Sequence, residues 1–127
     1  MRVALDTNRY RDLIEGDTKL GATLADAETV FVPFIVLAEL RAGFAAGTKQ
    51  TENERLLQTF LARPGVELLF PDEATTRHYA AGYRQLRAQG QMIPMSDLWI
   101  AALVLQHGLT LCSRDAHFDH LPQIARV

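Results

Sequence analysis

Two unbroken apolar runs stand near the ends of the chain, Arg2 to Leu5 and Leu109 to Cys112. Neither alternates with polar residues, which is the pattern of strands buried on both faces of a parallel sheet. Each run stops at a short polar triplet, Asp6-Thr7-Asn8 and Ser113-Arg114-Asp115. Such triplets suit a turn or a helix cap.

Between these runs the apolar spacing changes repeatedly from strand-like to helical. Residues from about Asn8 to Glu15 and from Thr18 to Ala27 read as short helices parted by Gly16-Asp17, and Thr29 to Val32 reads as a second strand. Pro33 suits a first helical turn, and Leu37, Leu40 and Phe44 then recur at three- and four-residue spacing. That spacing predicts a helix from Phe34 to about Ala46, stopped at Gly47, with Glu39 inside it. Asn53 to Leu61 is a further helix, broken by Pro64-Gly65 before a strand at Val66 to Phe70. A polar-faced helix follows over Asp72 to Arg87 and ends by Gly90. Pro94-Met95-Ser96-Asp97 opens another, which places Leu98, Ala101, Ala102 and Leu105 on one face and stops near Gly108. A final short strand is placed at Ile124 to Val127.

Short apolar strands alternating with helices imply right-handed crossovers, hence an α/β fold with a mostly parallel sheet between helices. Ligands of such sheets gather at the carboxyl ends of the strands, where Asp6 and Asp115 fall. With 127 residues, 48% hydrophobic and 22% charged, the chain reads as a single domain spanning residues 1–127. There are no repeats and no low-complexity segments. Cys112 is the only cysteine, so an internal disulfide is excluded. No segment approaches membrane-span length and none resembles a secretory leader, so the expected location is the cytoplasm. A net charge of −2 argues against a broad basic surface for nucleic acid, but not against a site that concentrates carboxylates around bound cations.

Asp6, Asp97 and Asp115 each have a local explanation as cap or turn residues. Glu39 lies in the apolar stretch Val36-Leu37-Ala38-Glu39-Leu40, where a charge needs a partner, a water-facing position or a nearby arginine. Independent caps need not converge, yet two of these acids stand at strand ends, one within a helix and one at a helix start. Clustered carboxylates repel one another unless cations neutralise them. Oxygen ligands favour hard ions, here Mg²⁺ or Mn²⁺. His117 and His120 form no convincing zinc motif and read as surface or packing residues. Arg9, Arg11, Arg41 and Arg114 lie close in sequence to the acids and suit either phosphate contacts or ordinary ion pairs. Trp99 and Phe118 read as packing residues.

Val3-Ala4-Leu5-Asp6-Thr7-Asn8, Pro33 through Gly43 with Leu37-Ala38-Glu39-Leu40, Ser96-Asp97-Leu98-Trp99-Ile100-Ala101-Ala102, and Ser113-Arg114-Asp115-Ala116-His117-Phe118 together resemble the PIN-domain family. More narrowly the chain is similar to the VapC-type ribonuclease toxins of type II toxin–antitoxin modules. The resemblance implies a three-layer α/β/α sandwich, an endoribonuclease dependent on one or two Mg²⁺ or Mn²⁺ ions per subunit, a homodimer, and a cognate antitoxin. It carries the acidic positions onto Asp6, Glu39, Asp97 and Asp115. Ser113 matches a small hydroxyl position that helps hold a ligand of the metal, and Thr7 and Asn8 are weaker supporting candidates. The fourth acid varies in this family, so Asp119 is an alternative or companion to Asp115.

The implied reaction is hydrolysis of RNA by water that the metal activates, leaving a 5′-phosphate and a 3′-hydroxyl. One alternative is a catalytically silent PIN-like module that only binds protein. Another is a phosphotransfer enzyme with Asp6 as nucleophile, although that chemistry usually wants a second aspartate where Asn8 stands.

Overall fold

A computed structural model describes residues 1–127. Its centre is strand β1 (Arg2–Leu5), whose Val3, Ala4 and Leu5 are fully buried, as expected of a strand covered on both faces. The chain continues through helices α1 (Thr7–Ile14) and α2 (Thr18–Ala25) to strand β2 (Thr29–Pro33), then α3 (Phe34–Ala46) and α4 (Gln50–Leu61) to β3 (Val66–Leu69). Helices α5 (Glu73–Ala88) and α6 (Met95–His107) return it to β4 (Thr110–Cys112), and a 3-10 turn follows at Ala116–His120.

All strand pairs are parallel, in the order β3-β2-β1-β4. The chain steps from β1 outward to β3 in one direction, then crosses back to add β4 on the far side of β1. Right-handed crossovers therefore put α1 to α4 over one face and α5 with α6 over the other. The reversal falls between β1 and β4, so a crevice opens at their carboxyl ends. This topology, and not any single residue, determines where the site lies.

Two glycines have positional roles. Gly108 adopts φ +61° at the end of α6, a left-handed stop that lets the chain enter β4 after two residues. Gly82 is buried where α5 meets α6, and a Cβ there would lie 3.0 Å from Leu98 Cδ1. Close approach of the two helices depends on that missing methyl group.

Several details differ from the sequence-based expectation, among them Pro33, which closes β2 and precedes α3 instead of lying in its first turn. Helix α4 begins at Gln50, about a turn before Asn53, with no side-chain cap at Lys49. The 3-10 turn after β4 has too few residues to show a hydrophobic period. The Ile124–Val127 segment is not a full strand: it closes a single parallel bridge, Leu111 with Arg126, through Leu111 N–H to Ala125 O at 2.8 Å and Val127 N–H to Leu111 O at 3.0 Å. Since β4 has only three residues, it offers little edge for a longer ladder. No helix is long and apolar enough to cross a membrane.

Candidate active site

The carboxyl ends of β1 and β4 are joined by the backbone bond from Asp6 N–H to Cys112 O at 3.0 Å. Asp6, only 4% exposed, then caps α1: Oδ1 accepts from the Thr7 N–H at 2.8 Å. Its other oxygen accepts from the Ser113 hydroxyl at 2.6 Å. Ser113 Oγ in turn accepts from the Asp115 N–H at 3.0 Å and lies 3.5 Å from Asn8 Nδ2. Asn8 Oδ1 accepts from the Arg114 N–H at 3.2 Å. These short-range bonds fasten the loop after β4 to the start of α1, 105 residues away in sequence.

Glu39 projects from the middle of α3, half-buried, and its Oε1 accepts from the Thr7 hydroxyl at 3.0 Å. Burial raises its pKa above the usual glutamate range; Thr7 opposes this, while repulsion from Asp6 and Asp97 adds to it. Asp97, 7% exposed in the first turn of α6, is also raised, first by burial and then by the charges of Asp115 and Asp6, against the lowering bond from His117. Mutual repulsion thus links Asp6, Glu39, Asp97 and Asp115, although the residues come from four separate parts of the chain.

His117 supplies what the sequence reading missed. Its Nδ1 lies 2.7 Å from Asp97 Oδ2 and 3.1 Å from Asp115 Oδ1. The bond to Asp97 is the largest influence on the ring and keeps it protonated to higher pH than usual. Two histidines three residues apart in a short irregular segment do not reveal this placement. Only the distance of two residues between His117 and Asp115 hinted at it.

Arg126 is the second residue missed. Its Nη2 donates to the carbonyls of Ser113 at 2.8 Å and Asp115 at 2.9 Å, and Nη1 donates to Asp119 at 2.6 Å. The guanidinium also covers the buried Phe118 ring. Asp119 therefore faces Arg126, 69% exposed, outside the group formed by Asp97, Asp115 and His117. The arginines near the site pair elsewhere. Arg9 and Arg114 bind Asp12, Arg41 binds Glu54, and Arg11 forms no ion pair. Trp99 packs against Tyr79, with ring centroids 4.4 Å apart.

No lysine or arginine pairs with any of the four acids, and one oxygen each of Glu39 and Asp97 accepts no hydrogen bond from the protein. Ligand atoms of Asp97, Asp115 and His117 lie within 4.8 Å of one another and fit a divalent cation, whereas Asp6 and Glu39 stand outside that group and are joined to it by charge repulsion. The four acids line none of the molecule's enclosed clefts; the largest, about 340 Å³, lies between α1, α3 and α4.

These features define a class: a three-layer α/β/α fold with an acidic centre at the switch point of its parallel sheet. The chain belongs to the PIN-domain family, whose model matches residues 3–124. It is 30% identical over 93 residues to Ribonuclease VapC4 of Mycobacterium tuberculosis, covering 73% of this chain and 72% of that protein. It is 34% identical over 123 residues to VapC ribonuclease Y4jK of Sinorhizobium fredii, covering 89% and 86%. Among solved structures it is similar to VapBC2 from Rickettsia felis bound to a DNA fragment from its promoter. That likeness has a TM-score of 0.85 and 26% identity, and covers 100% of this chain and 98% of the other.

Proposed function

We propose that this protein is a divalent-metal-dependent endoribonuclease and the toxin of a toxin–antitoxin pair, acting in the cytoplasm as one PIN-like domain. The reading rests above all on one observation: four acids from separate segments share repulsion and none is ion-paired to an arginine or lysine, Arg11 acting on Glu39 only through its charge. The names of the relatives supply the substrate class, RNA. In this reading Asp6, Glu39, Asp97 and Asp115 hold one or two Mg²⁺ or Mn²⁺ ions, which when bound activate water and stabilise the charge developing on the phosphate.

The remaining work is done by the chain's own groups. Ser113 and the Thr7 N–H fix both oxygens of Asp6, and Thr7 Oγ1 orients Glu39. Arg126 holds the backbone on which Asp115 stands. Arg11, exposed on α1 with no acid partner, is the cation best able to meet a phosphate of the RNA. An antitoxin partner follows from the VapBC complexes to which the fold is similar. Self-association into a homodimer is supported by the exposed aromatic pair Phe34 and Phe70, 6.2 Å apart beside exposed Leu68.

The test is incubation of purified protein with defined RNAs in Mg²⁺ or Mn²⁺, with EDTA and an Asp6→Asn variant as controls. Internal cleavage leaving 5′-phosphate ends, abolished by both controls, is the expected result. Cleavage that survives chelation contradicts the reading.

A further inference from the structure

All four acids assigned above offer oxygen, yet the side chain that sits between two of them offers nitrogen. The turn after β4 brings it there: Asp115 Oδ1 accepts from the His117 N–H at 2.9 Å, folding the backbone back so that the ring lies over its own cap. Nδ1 then faces Asp97 Oδ2 at 2.7 Å and Asp115 Oδ1 at 3.1 Å. Ligand bonds of roughly 2.1 Å meeting at right angles put neighbouring donor atoms about 3.0 Å apart. The nitrogen therefore stands from each carboxylate at the separation of adjacent ligands on one ion. One donor atom from each of Asp97, Asp115 and His117 lies within 4.8 Å of the others. The ring is half-exposed, so Nε2 can remain in water while Nδ1 faces inward.

We infer that His117 is a direct ligand, through Nδ1, of an ion shared with Asp97 and Asp115, the ion displacing the Nδ1 proton to solvent, and that it biases the site toward Mn²⁺ over Mg²⁺. Imidazole suits transition metals, whereas Mg²⁺ prefers oxygen and water. The inference rests on the metal-dependent reading above and adds to it a nitrogen ligand and a preference between ions. A histidine that merely held the two carboxylates in place would serve both ions alike.

The experiment measures Mn²⁺ and Mg²⁺ binding to the full chain by calorimetry, for the wild type, His117→Ala and Asp97→Asn. Electron spin-echo spectra of the Mn²⁺-loaded wild type and His117→Ala accompany it. Loss of a supporting residue beyond the ligands already costs 10- to 100-fold in metal affinity for either ion, so the loss of a nitrogen ligand in His117→Ala should weaken Mn²⁺ about tenfold more than it weakens Mg²⁺. The wild-type spectrum should carry ¹⁴N modulation that the variant lacks. Equal losses for both ions, or a wild-type spectrum without nitrogen coupling, overturn the inference. If Asp97→Asn abolishes Mn²⁺ binding while His117→Ala leaves it intact, only the nitrogen ligand is lost. If the wild type binds neither ion, the metal-dependent reading fails with it.

Discussion

Asp12 on α1 and Asp97 on α6 are held in opposite ways. Asp12 receives Arg9 at 2.8 Å and Arg114 at 2.7 Å, and these bonds hold its carboxyl below the usual aspartate range. Glu54, gripped by Arg41 and Gln58, is lowered in the same manner. Asp97 and Glu39 are raised instead, because burial and neighbouring acids outweigh the single bonds from His117 and Thr7. Arg114 makes the contrast sharp, since it stands between Ser113 and Asp115 in sequence yet turns its guanidinium out to Asp12. One set of carboxylates is neutralised by arginines, whereas in the other only His117 reaches Asp97 and Asp115, and burial outweighs it at Asp97. That difference separates surface ion pairs from a site.

The largest effect should come from removing a buried carboxylate that no arginine or lysine pairs with. Asp97→Asn is expected to lower RNA cleavage by roughly a hundredfold or more, since a positioned metal supplies several kcal/mol of transition-state stabilisation. The fold should survive, which circular dichroism can check. A cut in activity of twofold or less would place Asp97 outside the chemistry.

Arg126→Ala should come next. It removes two charged bonds to the carbonyls of Ser113 and Asp115, so a stability loss of about 1–3 kcal/mol is expected. Cleavage should fall roughly tenfold as the loop loosens, in keeping with the steep dependence of catalysis on ligand placement. Denaturant midpoints and initial rates measure the two effects separately.

Smaller, but opposite in sign, are the effects on the metal-free protein at pH 8. Between their unfolded and folded values Glu39 and Asp97, being raised, keep protons that the unfolded chain has released; above the folded values both are charged and repel. Their contribution is full below the ordinary carboxylate range and is lost as pH rises through it toward the folded values. Asp12 and Glu54 behave conversely: their contribution is present above that range and is lost as pH falls through the folded values. Without divalent ions at pH 8, Glu39→Gln should therefore raise the melting temperature, by a few degrees, whereas Asp12→Asn should lower it. Saturating Mn²⁺ should stabilise the wild type more at pH 8 than at pH 5. Differential scanning calorimetry distinguishes these signs. The least effect belongs to Asp119→Asn, whose exposed pair with Arg126 is worth less than about 1 kcal/mol. Its cleavage rate should match the wild type, while Asp115→Asn loses activity.

Much of this arrangement was legible in the chain. Unbroken apolar runs located β1 and β4, and the polar triplets at their ends placed Asp6, Ser113 and Asp115 at the carboxyl edge. Local sequence alone does not separate caps from ligands, because the same residue type does both jobs. Asp6 caps α1 and Asp115 caps the 3-10 turn while both also stand in the acidic group. Asp97 likewise sits in the first turn of α6. What distinguishes them is convergence across more than a hundred residues, which no local period records. His117 and Arg126 were illegible for the same reason. The roles of both depend on partners brought close by the crossover and the final bridge, and each by itself looks like an ordinary surface residue.

The most direct measurement is the anomalous difference map of crystals soaked in Mn²⁺. The electrostatic contrast predicts a peak within ligand distance, about 2.0–2.4 Å, of carboxylate oxygens of Asp97 and Asp115, with none beside Asp12. A peak at Asp12, or a fully soaked crystal with no peak among the four acids, would contradict it.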